Sequence, residues 1–138
     1  MIKIALTGNK GSGKSFVLDE FCKLGVPIFK LNNYENIEIE LEEFYKKNLS
    51  YKYVIIECAL LFEYKLELYF DNILFLYSDY DLIKKESIKN GEFLIDNYKK
   101  SHISDEYKTI KSDFVLVNDF TDKIIDDIHR FNQYLMSN

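Results

Sequence analysis

The sequence predicts an α/β fold, a three-layer α/β/α sandwich built on a five-stranded parallel sheet. Three observations carry this. Apolar runs alternate with segments of helical periodicity along the whole chain. Two of the runs, Tyr53-Val54-Ile55-Ile56 and Ile73-Leu74-Phe75-Leu76-Tyr77, are continuously apolar, as strands buried on both faces are. A glycine-rich loop, Gly8 to Ser15, sits between the first strand-like run and the first helical one. Strands alternating with helices pair in parallel through right-handed crossovers, with helices covering both sheet faces.

Each element has its own reason. Ile2-Lys3-Ile4-Ala5-Leu6 reads as the first strand, over about 2–7. Phe16, Val17, Leu18, Phe21 and Leu24 give helical spacing over about 14–24, and Gly25 stops that helix. Val26-Pro27-Ile28-Phe29 reads as a short second strand. From Tyr34 to Lys47, the stripe Ile37, Leu41, Phe44 and Tyr45 predicts an amphipathic helix. Residues 53–56 form the third strand, a short helix is expected over about 63–69, and residues 73–77 form the fourth strand. Ser78 or Asp79 caps a helix over about 80–89, which Asn90-Gly91 ends. The polar, Lys-rich stretch from Glu92 to Ser112 has room for one or two helices. Phe114-Val115-Leu116-Val117 is the fifth strand, and Thr121 to Leu135 closes the chain as a helix with Ile124, Ile125, Ile128, Phe131 and Leu135 on its apolar side.

Composition narrows the function classes. A chain of 138 residues, 47% hydrophobic, can build one domain with a real core. The net charge of −5 argues against a general nucleic-acid binder, which needs a basic face. No apolar run approaches the roughly 20 residues that span a bilayer, and Met1 leads straight into a strand rather than a signal peptide. The expected compartment is the cytoplasm. Cys22 and Cys58 lack metal-ligand spacing and read as buried free thiols. Arg130 is the only arginine.

The loop Gly8-Asn9-Lys10-Gly11-Ser12-Gly13-Lys14-Ser15 fits G-x-x-x-x-G-K-[ST], the phosphate-binding loop, in its proper place between a strand and a helix. The glycines let the backbone turn tightly and approach a phosphate, and the amides at the helix start favour the anion. Lys14 would reach the β- and γ-phosphates, and the Ser15 hydroxyl would sit on Mg²⁺. This makes the sandwich one of P-loop NTPase type, with its ligand at the carboxyl ends of the strands.

Other candidates follow from position. Glu57 ends the third strand, where a carboxylate either holds Mg²⁺ or orients a nucleophile. Glu63 either caps the next helix or lines an acceptor pocket. Lys84, Lys85 and Lys89 follow the fourth strand. Lys85 and Lys89 share a helix face, which is either a phosphate clamp on a lid or a solvated charged face. Lys99, Lys100 and His102 come next; His102, His129 and Arg130 read as surface residues.

Together these segments resemble the dephospho-coenzyme A kinases, a branch of the nucleoside-monophosphate-kinase-like P-loop kinases, in a shortened and divergent form. Ala5-Leu6-Thr7-Gly8 through Ser15 is similar to that family's A-L-T-G-x-x-G-S-G-K-S. Leu24-Gly25-Val26-Pro27-Ile28-Phe29 matches its second strand, and Ile55-Ile56-Glu57-Cys58-Ala59-Leu60-Leu61-Phe62-Glu63 resembles its apolar strand followed by D-x-P-L-L-F-E. Ser112-Asp113-Phe114-Val115-Leu116-Val117-Asn118 resembles its A-D-x-x-I-x-N. The resemblance implies phosphate transfer from ATP to the 3′-hydroxyl of dephospho-CoA, a step of coenzyme A biosynthesis, with Mg²⁺. It implies that Lys14 and Ser15 serve ATP and the metal, that Lys85 and Lys89 stand at the lid arginines, and that Asn118 passes the adenine.

The chain departs from that pattern in three places. Lys30-Leu31-Asn32 replaces the family's D-x-D, so both acids are gone. Lys85 and Lys89 keep the charge of the lid arginines but lose their planar fork. Residues 33–50 leave room for about one helix where the family has a longer acceptor-binding insert, and the lid falls at about 79–111. Three functions therefore stand: a reduced dephospho-CoA kinase, a kinase for a smaller nucleoside or nucleotide, and a nucleotide-binding module without turnover. The expected partners are a nucleotide and a small acceptor, with neither nucleic acid nor membrane. Oligomeric state is left open.

Overall fold

The computed structural model describes residues 1–91 and 102–138. Five strands form one sheet: β1 (Ile2–Gly8), β2 (Ile28–Lys30), β3 (Tyr53–Glu57), β4 (Asn72–Tyr77) and β5 (Phe114–Val117). Every pairing is parallel, in the order β2-β3-β1-β4-β5. β1 is central, so the loop that follows it opens at the middle of the sheet's carboxyl edge. The helices are α1 (Lys14–Lys23), α2 (Ile37–Lys47), α3 (Tyr80–Lys89), α4 (Asp105–Lys111) and α5 (Lys123–Ser137).

The period-two alternation of the strands sorts side chains into two cores. Ile4, Leu6, Tyr53, Ile55, Leu74 and Leu76 face one side, where Val17, Leu18 and Phe21 of α1 meet Ile124, Ile128, Phe131 and Leu135 of α5. Ala5, Val54, Ile56 and Ile73 face the other, beneath Ile37 and Leu41 of α2 and the segment carrying Leu61, Phe62 and Leu66. Both sheet faces are thus covered, which explains the unbroken apolar runs. Phe131 anchors the first core through edge-on contacts with Phe21, Tyr53 and Phe114.

Four local expectations are corrected. The helix expected at 63–69 shrinks to one 3₁₀ turn at Glu67–Tyr69, because Lys65 takes a left-handed conformation (φ 55°) that interrupts it. Asp79 holds the N-cap position of α3 without a side-chain cap, and Ser78 is buried and donates to the Asn118 carbonyl instead. The second strand starts at Ile28, two residues later than its apolar run. Cys58 is buried, but Cys22 is exposed, because Val17, Leu18 and Phe21 occupy the sheet-facing stripe of α1. In the Lys-rich stretch, α4 accounts for residues 105–111, while Lys99 and Lys100 lie outside the described residues.

Candidate functional site

The carboxyl edge of the sheet opens into a cleft of about 1240 Å³. Its floor is the loop: Gly8, Asn9, Lys10, Gly11, Gly13, Lys14 and Ser15 all line it, and Ser12 lies buried beneath. Glu57, Ala59, Leu60 and Glu63 form one wall, after β3. Ile83, Glu86, Ser87 and Asn90 of α3 and its end form another. Asn118, Phe120, Thr121 and Asp122 close the side beyond β5, and His102 and Lys108 enter from the α4 region.

The loop is held from within and from outside. The Lys14 ammonium donates to the carbonyls of Gly8 (2.8 Å) and Asn9 (3.1 Å), which carry it over the loop. Burial pushes its pKa below the ordinary lysine value, with Lys108 adding to the shift and Glu57 and Glu63 opposing it. From outside, the buried Asn118 side chain donates to the Ser12 carbonyl at 2.8 Å, and its own Oδ1 accepts from the Phe120 amide at 2.9 Å. Gly13 has φ 99°, and a Cβ there would lie 2.5 Å from the Asn118 amide nitrogen. Glycine at this position therefore serves both the left-handed turn and the close approach of Asn118. Asp113, at the other end of β5, accepts from the Ile73 amide at 2.7 Å and so ties β5 to β4.

A further contact comes from α4. Asn9 Nδ2 donates to Asp105 Oδ1 at 2.7 Å, while Lys108 Nζ donates to Asn9 Oδ1 at 3.1 Å and pairs with Glu63 Oε2 at 3.3 Å. The Lys108 side chain is 2% exposed. Sequence reasoning missed it. No motif marks it, and only the fold separates it from the exposed Lys111 one turn on.

Of the residues singled out in the sequence, the loop residues Gly8 to Ser15 other than the buried Ser12, together with Glu57, Glu63, His102 and Asn118, meet at this cleft. Lys85 and Lys89 do not line it; both are exposed on α3, whose cleft-facing side chains are Ile83, Glu86 and Ser87. Lys30 and Asn32 are exposed and away from the lining, although Lys30 is the register partner of Glu57. No residue of 33–50 lines it. Among the described residues no group of three or more His, Cys, Asp or Glu is placed to hold a metal, and no helix is long and apolar enough to cross a membrane.

This architecture recurs in solved structures. A Thermus thermophilus protein aligns with 99% of the chain and 96% of its own, at TM-score 0.72 and 20% identity. Shikimate kinase from Bacteroides thetaiotaomicron aligns over 99% of both chains, at TM-score 0.54 and 16% identity. No family model matches the sequence. Two curated relatives do. The dephospho-CoA kinase of Rickettsia typhi is 23% identical over 167 aligned positions, taking in 84% of this chain and 87% of the relative. That of Rickettsia prowazekii is 36% identical over 74 positions, 51% of this chain and 39% of the relative.

The chain has the P-loop kinase fold and is similar, at low identity, to dephospho-CoA kinases. The run Asp113 to Asn118 has a structural role: Asp113 joins β5 to β4, and Asn118 braces the Gly8–Ser15 loop.

Proposed function

We propose that this kinase-like chain binds ATP with Mg²⁺ at Gly8–Ser15 and transfers the terminal phosphoryl group to the hydroxyl of a small acceptor, with dephospho-CoA the first acceptor to test. The observation that carries the reading is Lys14, a half-buried cation held over a glycine-rich loop at the floor of a large cleft. At about 1240 Å³ the cleft is at the upper end of, or beyond, the ~300–1,000 Å³ of ordinary small-molecule sites. The donor set suits the metal. Mg²⁺ takes one or two protein oxygens beside phosphate oxygens and water, and Ser15 and Glu57 both offer hard oxygen at the cleft surface. When bound, the metal would neutralise charge on the transferring phosphate.

The chain's own residues supply the rest. The loop amides and Lys14 bind and orient the phosphates, which is most of what phosphoryl transfer asks of a protein. Glu57 stands where an acceptor hydroxyl or a metal-bound water can be oriented. Phe16 and Leu60, 43% and 38% exposed, offer apolar surface to an acceptor at the same cleft. The helix within 33–50 is read as the remnant of an acceptor platform, and 79–111 as the lid.

A second reading, nucleotide binding without transfer, has its own support. No acid stands at Lys30 or Asn32, and neither residue reaches the cleft. A general base contributes about 10²–10⁴-fold, so its loss alone leaves measurable turnover. Phosphate transfer from γ-labelled ATP to dephospho-CoA, and then to smaller nucleosides and nucleotides, separates the readings. Transfer to dephospho-CoA above a Lys14→Ala control supports the first. Transfer only to a smaller acceptor moves the substrate. Tight ATP binding with no labelled product on any acceptor leaves the binding module.

A further inference from the structure

We propose that Lys108 is a second phosphate-binding cation of this cleft, held ready by Glu63 and Asn9 and directed at the terminal phosphate of a bound nucleoside triphosphate. The inference rests on the nucleotide reading of the loop and adds to it a specific residue outside every motif.

Four observations support it. Lys108 is buried on a short helix, yet it is one of the residues lining the cleft that the loop floors. Its neighbour Lys111 is exposed, so α4 sends one lysine into the cleft and one to solvent. One acceptor of Lys108 is Asn9, itself part of the loop, and Asn9 is also gripped by Asp105 from the same helix. The loop and α4 are thus joined by a three-residue bridge at the mouth of the phosphate site. Finally, Lys108 is near enough to Lys14 to contribute to its depressed pKa.

A structural role alone explains this poorly. A buried Lys–Glu pair costs about as much desolvation as it returns in attraction, and apolar replacements are often neutral. Here the pair sits at 3.3 Å and faces a cleft with a second lysine in it. An ammonium has three donors, and Glu63 and Asn9 take two. A phosphate oxygen entering the cleft gives Lys108 a third acceptor and relieves the repulsion between two cations. The exposure of Lys85 and Lys89 leaves Lys10, Lys14 and Lys108 as the lysines that line the described cleft. Among the described residues, Lys108 thus adds a buried cation to Lys14 for a terminal phosphate.

The test is calorimetric titration of ATP and of ADP, with Mg²⁺, into the full chain and its Lys108→Met, Lys108→Arg and Glu63→Gln/Lys108→Met variants. A lost charged hydrogen bond corresponds to a fall of roughly ten-fold or more in affinity. The expected result is that loss for ATP in Lys108→Met, with ADP changed less than about three-fold, and most ATP affinity kept by Lys108→Arg. The double variant also removes the Glu63 charge that faced Lys108, so it carries the test if Lys108→Met folds poorly. It should melt near the parent while still lacking the preference for ATP. Equal losses for ATP and ADP, or recovery of ATP affinity in the double variant, would overturn the inference and leave a structural ion pair. If the parent chain binds neither nucleotide, the reading of the loop itself fails, and the inference with it.

Discussion

Replacing Gly13 by alanine should be among the most damaging single-methyl additions to this chain, and the structure says by how much. At φ 99° a side chain pays a left-handed backbone penalty of ~1–2 kcal/mol. The new Cβ would also stand 2.5 Å from the Asn118 amide nitrogen, well inside contact distance. Asn118 is buried and must move, losing its 2.8 Å bond to the Ser12 carbonyl. A buried polar group left unmet costs ~1–3 kcal/mol. The total is roughly 2–5 kcal/mol, out of a usual stability of about 5–15 kcal/mol. Unfolding entropy of ~2.1 cal/mol/K per residue makes each kcal/mol worth about 3–4 °C in a chain of 138 residues. Thermal melting of Gly13→Ala should therefore fall by roughly 7–17 °C. Gly25→Ala is the internal control: its φ is 84°, but nothing lies within 4 Å of the added carbon. That variant should lose only the backbone share, about 3–7 °C. Equal melting temperatures for the two variants would refute the argument from Asn118. A mutant cycle with Asn118→Ala should show coupling of ~1 kcal/mol or more, since the two residues share one contact.

Lys14→Met should weaken ATP binding about 10–100-fold by calorimetry, as expected for a lost charged hydrogen bond. Its ligand-free fold should be no less stable than the parent. Burial holds the Lys14 pKa below the unfolded value, so the charged form opposes folding at neutral pH, and that penalty fades as pH rises toward 10.5. Cys58 acts in the opposite sense. Burial pushes its thiol up to about 12, so above the unfolded value of 9.0 the unfolded chain sheds a proton that the fold retains, and stability falls with pH. Cys58→Ala should flatten the decline between pH 9 and 11 in urea titrations by up to ~1.4 kcal/mol per pH unit. A thiol reagent at pH 8 should label Cys22 in the native chain and both cysteines only in denaturant. Asp113→Ala should cost ~1–2 kcal/mol in the same titrations, because the Ile73 amide loses its 2.7 Å acceptor.

Much of the fold was legible because each strand and helix announces itself within a few residues. The unbroken Tyr53–Ile56 and Ile73–Leu76 runs marked strands covered on both faces, and the Ile124, Ile128, Phe131 and Leu135 stripe marked the closing helix. The place of the Gly8–Ser15 loop was legible for the same reason: its eight residues are contiguous and lie between β1 and α1, at the floor of the cleft. Where local signals competed, the sequence misled. Residues 63–69 were expected to be helical, yet Lys65 breaks the segment, and Ser78 looked like a cap, yet a carbonyl 40 residues away accepts from its hydroxyl.

Sequence by itself determined the class of fold and the position of the Gly8–Ser15 loop, since periodicity and short motifs are properties of neighbouring residues. Only tertiary structure decided which charges share the cleft. Lys85, Lys89, Lys108 and Lys111 are equivalent as letters in a polar stretch. Packing exposes three of them and buries Lys108 against Glu63 and Asn9, residues 45 and 99 positions away. Asn118 likewise meets Ser12 across 106 residues, because parallel strands β1, β4 and β5 bring their carboxyl ends to one edge. Contacts of that range are set by how strands pair and helices pack, and no local pattern in the chain encodes them.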